Sequence, residues 1–170
     1  IKYYKLPAGK ISVTYNGVSQ KMLDRGMAGE AVKEKIILSV GTFNFRKNHP
    51  NLISGYLGSD LHNEYRLVLI GDKNKVFKDA GIDEGILEHT KIEIHATLKE
   101  DELIDMYRKA EIVASLSLYE GFGIPLLEGL YNGCKILCSD IPVYREIYGD
   151  CATFCDATNI DAIAAGLMAV

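Results

Sequence analysis

"EIVASLSLYEGFGIPLLEGLYNGCKILCSD", residues 111–140, holds one full unit of an alternating architecture. Residues 111–117 hold a short apolar, partly β-branched run, as a buried strand requires. A glycine-bearing loop, "SLYEGFGIP", follows. Residues 124–132 then place Leu126, Leu127, Leu130 and Tyr131 on one helical face. Pro125 suits the first turn of that helix and Gly133 its end. "KILCSD" at 135–140 reads as the next strand. Strand, helix and strand in this order form a parallel crossover unit.

The alternation continues outward. "KISVTY" (10–15), "KIILSVG" (35–41), "RLVLIGD" (66–72), "KIEIHA" (91–96) and "ATFC" (152–155) read as further strands. Residues 50–57 gather Leu52, Ile53, Tyr56 and Leu57 on one helical face, and residues 98–109 gather Leu103, Ile104 and Tyr107. Thr97 and Glu100 have the spacing of a capping box for the second of these helices. Strands that are apolar throughout, alternating with helices, predict a doubly wound α/β domain, a parallel sheet with helices on both faces. Residues 1–30 carry an Asn-Gly turn, further glycines and weak periodicity. They read as a lead-in or interdomain segment and not as core, with the domain proper at 31–170.

The chain of 170 residues is 48% hydrophobic and 25% charged, the composition of one soluble globular domain. No apolar run approaches the roughly 18 residues of a membrane span, and no signal peptide is visible. The chain opens on Ile1 and stops inside the helical-looking "NIDAIAAGLMAV", which suggests a piece of a longer protein. A net charge of −4 argues against a nucleic-acid binder. Cys134, Cys138, Cys151 and Cys155 form two C-x3-C pairs that fall in or beside strands. Four residues along a strand separate Cα atoms by roughly 13 Å, too far to share one tetrahedral metal. Buried free thiols are expected instead, and reduced thiols point to the cytoplasm.

Ligands of open parallel sheets bind beyond the carboxyl ends of the strands. Two loops there are unusual. "GTFNFRKNHP" (41–50) sets Arg46 and Lys47 immediately before a helix N-terminus, where the macrodipole already presents positive charge. A bound anion would remove that conflict; side chains reaching into water are the plain alternative. In "SLYEGFGIP", Gly121 and Gly123 allow positive φ or close backbone approach, and the amides near Phe122 and Ile124 would face the crevice. Leu126 stands where a dinucleotide fingerprint needs a small residue, so that motif fails. Glu120 and Glu128 flank the loop as carboxylates suited to sugar hydroxyls, although a solvated loop and a first helical turn would also accommodate them. Together the loops suggest a phosphorylated sugar or a nucleotide.

"EGFGIPLLE" (120–128) resembles the E-x7-E motif of retaining glycosyltransferases, particularly family 4, with the two-domain GT-B architecture. The resemblance extends in order through "ISVTYNGVS", "LSVGTFNFRKNHPNLI", "LVLIGD" and the run from Ala96 to Asp156. It implies the C-terminal, nucleotide-sugar donor domain, without the N-terminal domain that binds the acceptor. It also implies roles. Lys47, with Arg46, would neutralise the donor diphosphate, near Gly41 and Thr42. Some members carry arginine where Thr42 stands, so this chain would rely more on Arg46 and Lys47. Glu128 would bind ribose hydroxyls, and Glu120 would face the transferred sugar as nucleophile or positioning group. The amides of Gly121, Phe122, Gly123 and Ile124 would meet the diphosphate and sugar, and Thr97 and Leu98 the base.

The implied reaction moves a sugar from a UDP- or GDP-sugar to an acceptor hydroxyl with retention, without cofactor or metal, in cell-surface polysaccharide biosynthesis. The acceptor, a glycan or lipid-linked sugar, would bind through the missing domain, where peripheral membrane attachment would also reside. Asp72 and Asp140 follow strands singly and read as turn caps. A nucleotide-sugar epimerase or a phosphorylase shares this architecture, and a non-catalytic nucleotide-sugar or partner-binding domain is the reading from another class. The isolated piece is expected to bind UDP or GDP weakly and to turn over nothing.

Overall fold

A computed structural model of the chain describes residues 7–26, 32–71, 85 and 90–170. Six parallel strands form one sheet: β1 (Glu34–Val40), β2 (Arg66–Ile70), β3 (Ile92–His95), β4 (Ala110–Ser115), β5 (Lys135–Ser139) and β6 (Thr153–Cys155). Their order is β3-β2-β1-β4-β5-β6. Strand order therefore reverses between β1 and β4, and the crevice of a doubly wound sheet opens at such a reversal. Six α-helices are described: α1 (Gln20–Gly26), α2 (His49–Leu57), α3 (Glu100–Lys109), α4 (Ile124–Tyr131), α5 (Pro142–Tyr148) and α6 (Ile160–Ala169).

Alternate residues of each strand enter opposite layers, because strand side chains switch faces at every step. Ile37, Leu67, Leu69, Ile112 and Ala114 pack with α2 and α6. Ile36, Leu38, Val68, Ile70 and Val113 pack with α1, α3, α4 and α5. Both faces of the sheet are thus covered, which is why its central strands lack a polar side; the edge strand β3 keeps one, with Glu93 and His95.

The structure departs from the sequence reading at several points. Residues 11–19 are not a strand: "KISVTY" lies mostly exposed, outside the sheet. Its alternation of Ile11, Val13 and Tyr15 has no strand to pair with among the described residues. Helix α1 follows and buries Met22 in the second layer, so that helix contributes to the core. Helix α3 starts later than the Thr97–Glu100 spacing suggests. The Glu102 carboxylate accepts from the Lys99 N–H at 2.9 Å, which moves the helix start past Thr97. Tyr131 is also at the surface, donating its hydroxyl to the Leu23 carbonyl. All four cysteines are free, but Cys151 is exposed because it sits in the 3-10 turn before β6. Asp140 does not cap a turn; it forms a two-pronged pair with Arg145 at 2.7 and 2.8 Å. Asp72 lies outside the described residues.

Lys33 ties the second layer together. Its Nζ donates to the carbonyls of Ala110 (2.9 Å) and Asn132 (2.7 Å), which follow α3 and α4, and to Tyr107 (3.3 Å). A cation suits helix C-termini, where carbonyls lack partners. Lys33→Ala should therefore lower unfolding stability by about 1–3 kcal/mol, read as an earlier urea midpoint at unchanged slope.

Candidate functional site

The two unusual loops leave adjacent strands on opposite sides of the reversal, one after β1 and one after β4. Residues Phe45–Lys47 form a 3-10 turn capped by Asn44, whose side chain accepts from the Lys47 N–H at 3.1 Å. Asn48 then takes a left-handed conformation, φ 57°. Its buried side chain donates to the Ala157 carbonyl at 2.7 Å, anchoring the loop to the β6–α6 connection. The Leu118 N–H donates to the Arg46 carbonyl at 2.8 Å, which joins the two loops directly. Gly41, with φ +153°, passes beneath Lys47; a Cβ there would lie 2.8 Å from the Lys47 Cε.

Both cations end on one carboxylate oxygen. Lys47 Nζ is 2.6 Å and Arg46 Nη1 2.5 Å from Glu120 Oε1, and Ser117 Oγ donates to the same oxygen at 3.0 Å. Burial pushes the Glu120 carboxyl up, but Lys47 first, then Arg46 and Ser117, outweigh it and hold it below its usual 4.5. Arg46 also donates to the Tyr119 carbonyl and lies 5.5 Å from the centre of that exposed ring. His49 opens α2 beneath this cluster, buried against Phe43 at 4.8 Å. Burial and then the Lys47 charge lower it to about 4, so it is neutral and leaves the local charge to Arg46 and Lys47.

The Gly-Phe-Gly loop is held from below. Tyr148 donates its hydroxyl to the carbonyls of Gly123 (2.7 Å) and Phe122 (3.3 Å). Across a planar trans peptide the N–H points opposite to the C=O. The amides of Gly123 and Ile124 are therefore turned away from Tyr148, and neither makes an inter-element backbone hydrogen bond among the described residues. Gly123 caps α4 with φ +91°. Gly121 has ordinary φ and open space around it, so nothing in the chain itself requires a glycine there.

Residues 21–170 match the sequence family described as Glycosyl transferases group 1. The chain belongs to the group 1 glycosyl transferases. It is 26% identical over an alignment of 184 positions to O-antigen chain mannosyltransferase B of Escherichia coli, which covers 99% of this chain and 47% of that protein. It is 28% identical over 154 positions to N-acetylgalactosamine-N,N'-diacetylbacillosaminyl-diphospho-undecaprenol 4-alpha-N-acetylgalactosaminyltransferase of Campylobacter jejuni, covering 88% of this chain and 40% of that one. The chain thus spans less than half the length of these curated relatives. Its fold matches the crystal structure of WaaG, a glycosyltransferase involved in lipopolysaccharide biosynthesis, with TM-score 0.71, 17% identity and coverage of 98% of this chain and 50% of the other. The chain is homologous to the C-terminal halves of GT-B glycosyltransferases.

In this group 1 domain the remaining candidate residues lie around the same end of the sheet. Thr42 is exposed beside Gly41; Thr97 is exposed and Leu98 half-buried in the segment after β3. Glu128 is not in the first turn of α4 but in the second, half-buried. Burial raises its carboxyl above 4.5; Tyr107 opposes that rise, and the Glu100 charge adds to it. The Tyr107 hydroxyl acts on Glu128 without meeting hydrogen-bond geometry, so this buried oxygen has no partner among the described residues. No group of three or more His, Cys, Asp or Glu side chains among the described residues is arranged to hold a metal. No described helix is long and apolar enough to cross a membrane. Three supporting residues went unremarked in the sequence: Ser117, Tyr144 and Tyr148. The signal for Ser117 was a pair of serines, Ser115 and Ser117, in the otherwise apolar run "IVASLS".

Proposed function

We propose that this chain is the donor-binding half of a retaining glycosyltransferase that uses a UDP- or GDP-sugar. The observation that carries the reading is the convergence of Arg46 and Lys47 on the single oxygen Glu120 Oε1, at the reversal of strand order. Glu120 occupies the position of an anion between two cations. A diphosphate offers more charge and more acceptor oxygens than one carboxylate, so it displaces Glu120 from the pair. The freed carboxylate then faces the transferred sugar. The amides of Gly123 and Ile124, at the N-terminus of α4, add donors to the phosphates. Charge that builds on the departing diphosphate is met by groups already in place, which is the demand of this reaction.

Glu128 and the Thr97–Leu98 segment complete the donor site in this reading. Glu128 lies close enough to Glu100 to feel its charge, and Glu100 opens the helix that follows Thr97 and Leu98. A ribose bound by Glu128 is therefore near a base bound by that segment. The relatives named above are a mannosyltransferase and an N-acetylgalactosaminyltransferase, which supports a hexosyl donor and a glycan or lipid-linked acceptor.

Calorimetric titration of the chain with UDP and GDP tests the reading; a folded sample that binds neither would overturn it. The pH dependence is a finer test, using a nucleotide sugar so that no terminal phosphate titrates. Ionised Glu128 accepts ribose hydroxyls through charge-assisted bonds, which protonation weakens. Because its pKa is raised, affinity should fall as pH drops through a value above 4.5. Glu120 has a lowered pKa, so its pairing stabilises the fold above about 4.5 and is lost only at lower pH. Affinity should therefore fail before the Glu120 cluster does, and Glu128→Ala should remove that acid limb. An identical acid limb in the variant would disprove the role of Glu128.

A further inference from the structure

Beside the donor loops, the segments that follow β4, β5 and β6 line an open cavity of about 370 Å3. Ser117, which donates to Glu120, forms part of its wall, so the two sites share a boundary. Ser139 also lines the cavity; it is 1% exposed and its Oγ has no hydrogen-bond partner among the described residues. Buried hydroxyls are nearly always bonded, so an unbonded one in a cavity wall points to a ligand or ordered solvent.

The charge of the cavity narrows that choice. Asp140 and Asp156 both line it. Arg145 holds the Asp140 carboxyl below its ordinary range, and Thr158 does the same for Asp156 through its hydroxyl and its N–H. Both are ionised at neutral pH, and the nearby cation, Arg145, is already paired to both oxygens of Asp140. A phosphate or carboxylate would be repelled. Asp156 engages Thr158 through Oδ1 alone, at 2.8 and 2.6 Å, which leaves Oδ2 without a hydrogen bond among the described residues. Carboxylates with spare lone pairs beside a buried hydroxyl match a neutral ligand rich in hydroxyl donors. The volume stands near the lower end of ligand pockets, about 300 Å3, and suits a single sugar ring better than a nucleotide.

We propose that this cavity binds one hexose ring of the acceptor, with Asp156 and Asp140 accepting from its hydroxyls and Ser139 bonding to it. Its description as part of the acceptor rests on the donor-domain reading above; the binding of a neutral sugar does not. The acceptor then touches this domain as well as its own, across the wall that Ser117 shares with Glu120.

Amide NMR spectra of the chain, titrated with methyl α-D-mannopyranoside, methyl α-D-glucopyranoside and methyl N-acetyl-α-D-galactosaminide, test the assignment. Shifts are expected at residues 139–141 and 156–158 for at least one of the three, at millimolar concentrations. Asp156→Asn keeps Oδ1 for Thr158 and should weaken that sugar about tenfold. Ser139→Ala removes a hydroxyl with no internal partner, so the melting temperature should hold while sugar affinity drops several-fold. Absence of shifts with all three sugars, shifts confined to 117–124, or unchanged affinity in both variants would overturn the proposal. A parallel titration with UDP and GDP separates the two readings. Nucleotide binding without sugar binding removes the cavity assignment and leaves the donor site standing; sugar binding without nucleotide binding does the reverse.

Discussion

Lys47→Ala is expected to weaken nucleoside diphosphate binding by about 10- to 100-fold, the range for loss of one charge-assisted hydrogen bond to an anion. Arg46 remains as the second cation, so binding should weaken and not vanish. Glu120→Gln should move affinity the other way. In the free chain Lys47 and Arg46 are both committed to Glu120 Oε1, and an incoming diphosphate must displace that carboxylate. A neutral amide competes less, so UDP or GDP should bind several-fold tighter to the variant than to the native chain. The same substitution leaves two nearby cations unneutralised in a site where Glu120 and Lys47 are each only 11% exposed. The ligand-free variant should therefore melt earlier, and saturating nucleotide should raise its melting temperature more than it raises that of the native chain. Calorimetry and thermal melts on the three proteins decide the matter. Weaker nucleotide binding by Glu120→Gln would show that Glu120 is part of the phosphate site and not its occupant.

Most of the fold was legible because it rests on one strong physical regularity. Strands buried on both faces carry consecutive apolar residues on both sides, and the central stretches 36–38 of β1, 67–70 of β2, 112–114 of β4 and 136–138 of β5 show this directly. Failures came where local pattern and tertiary context disagree. Ile11, Val13 and Tyr15 alternate like a strand, but no neighbouring strand among the described residues offers them a ladder, and they stay exposed. Helices α1 and α5 are seven residues each, too short for periodicity to stand out. The site divides in the same way. Arg46, Lys47 and Glu120 were visible as chemically unusual residues in loops, yet their mutual contact depends on β1 and β4 being neighbours. That adjacency is a property of strand order, which no local stretch encodes. Ser117, Tyr144 and Tyr148 act by bracing other groups, and bracing residues have no motif of their own.

Gly123→Ala should be the most destabilising single-methyl change at the site, by about 2–4 kcal/mol. Two independent costs combine. An L-residue at φ +91° pays about 1–2 kcal/mol for the left-handed conformation. The added Cβ would also lie 2.5 Å from Tyr144 Cε1, and an overpacked core site costs about 1–3 kcal/mol. Tyr144 has little freedom to retreat: it is fully buried, its hydroxyl is 2.9 Å from Ser115 Oγ, and its ring meets Tyr148 edge-on at 5.7 Å. Tyr148 in turn holds the Phe122 and Gly123 carbonyls, so relief of the clash would release the loop that presents the Gly123 and Ile124 amides. Gly121→Ala is the matched control. Its methyl meets open space at ordinary φ, so the unfolding free energy from urea titration should stay within about 0.5 kcal/mol of the native chain. Where the donor backbone approach needs that space, nucleotide-sugar affinity should nevertheless fall. Stability lost at Gly123 and affinity lost at Gly121 would separate a glycine kept for the fold from one kept for the ligand; equal stability in the two variants would refute that division.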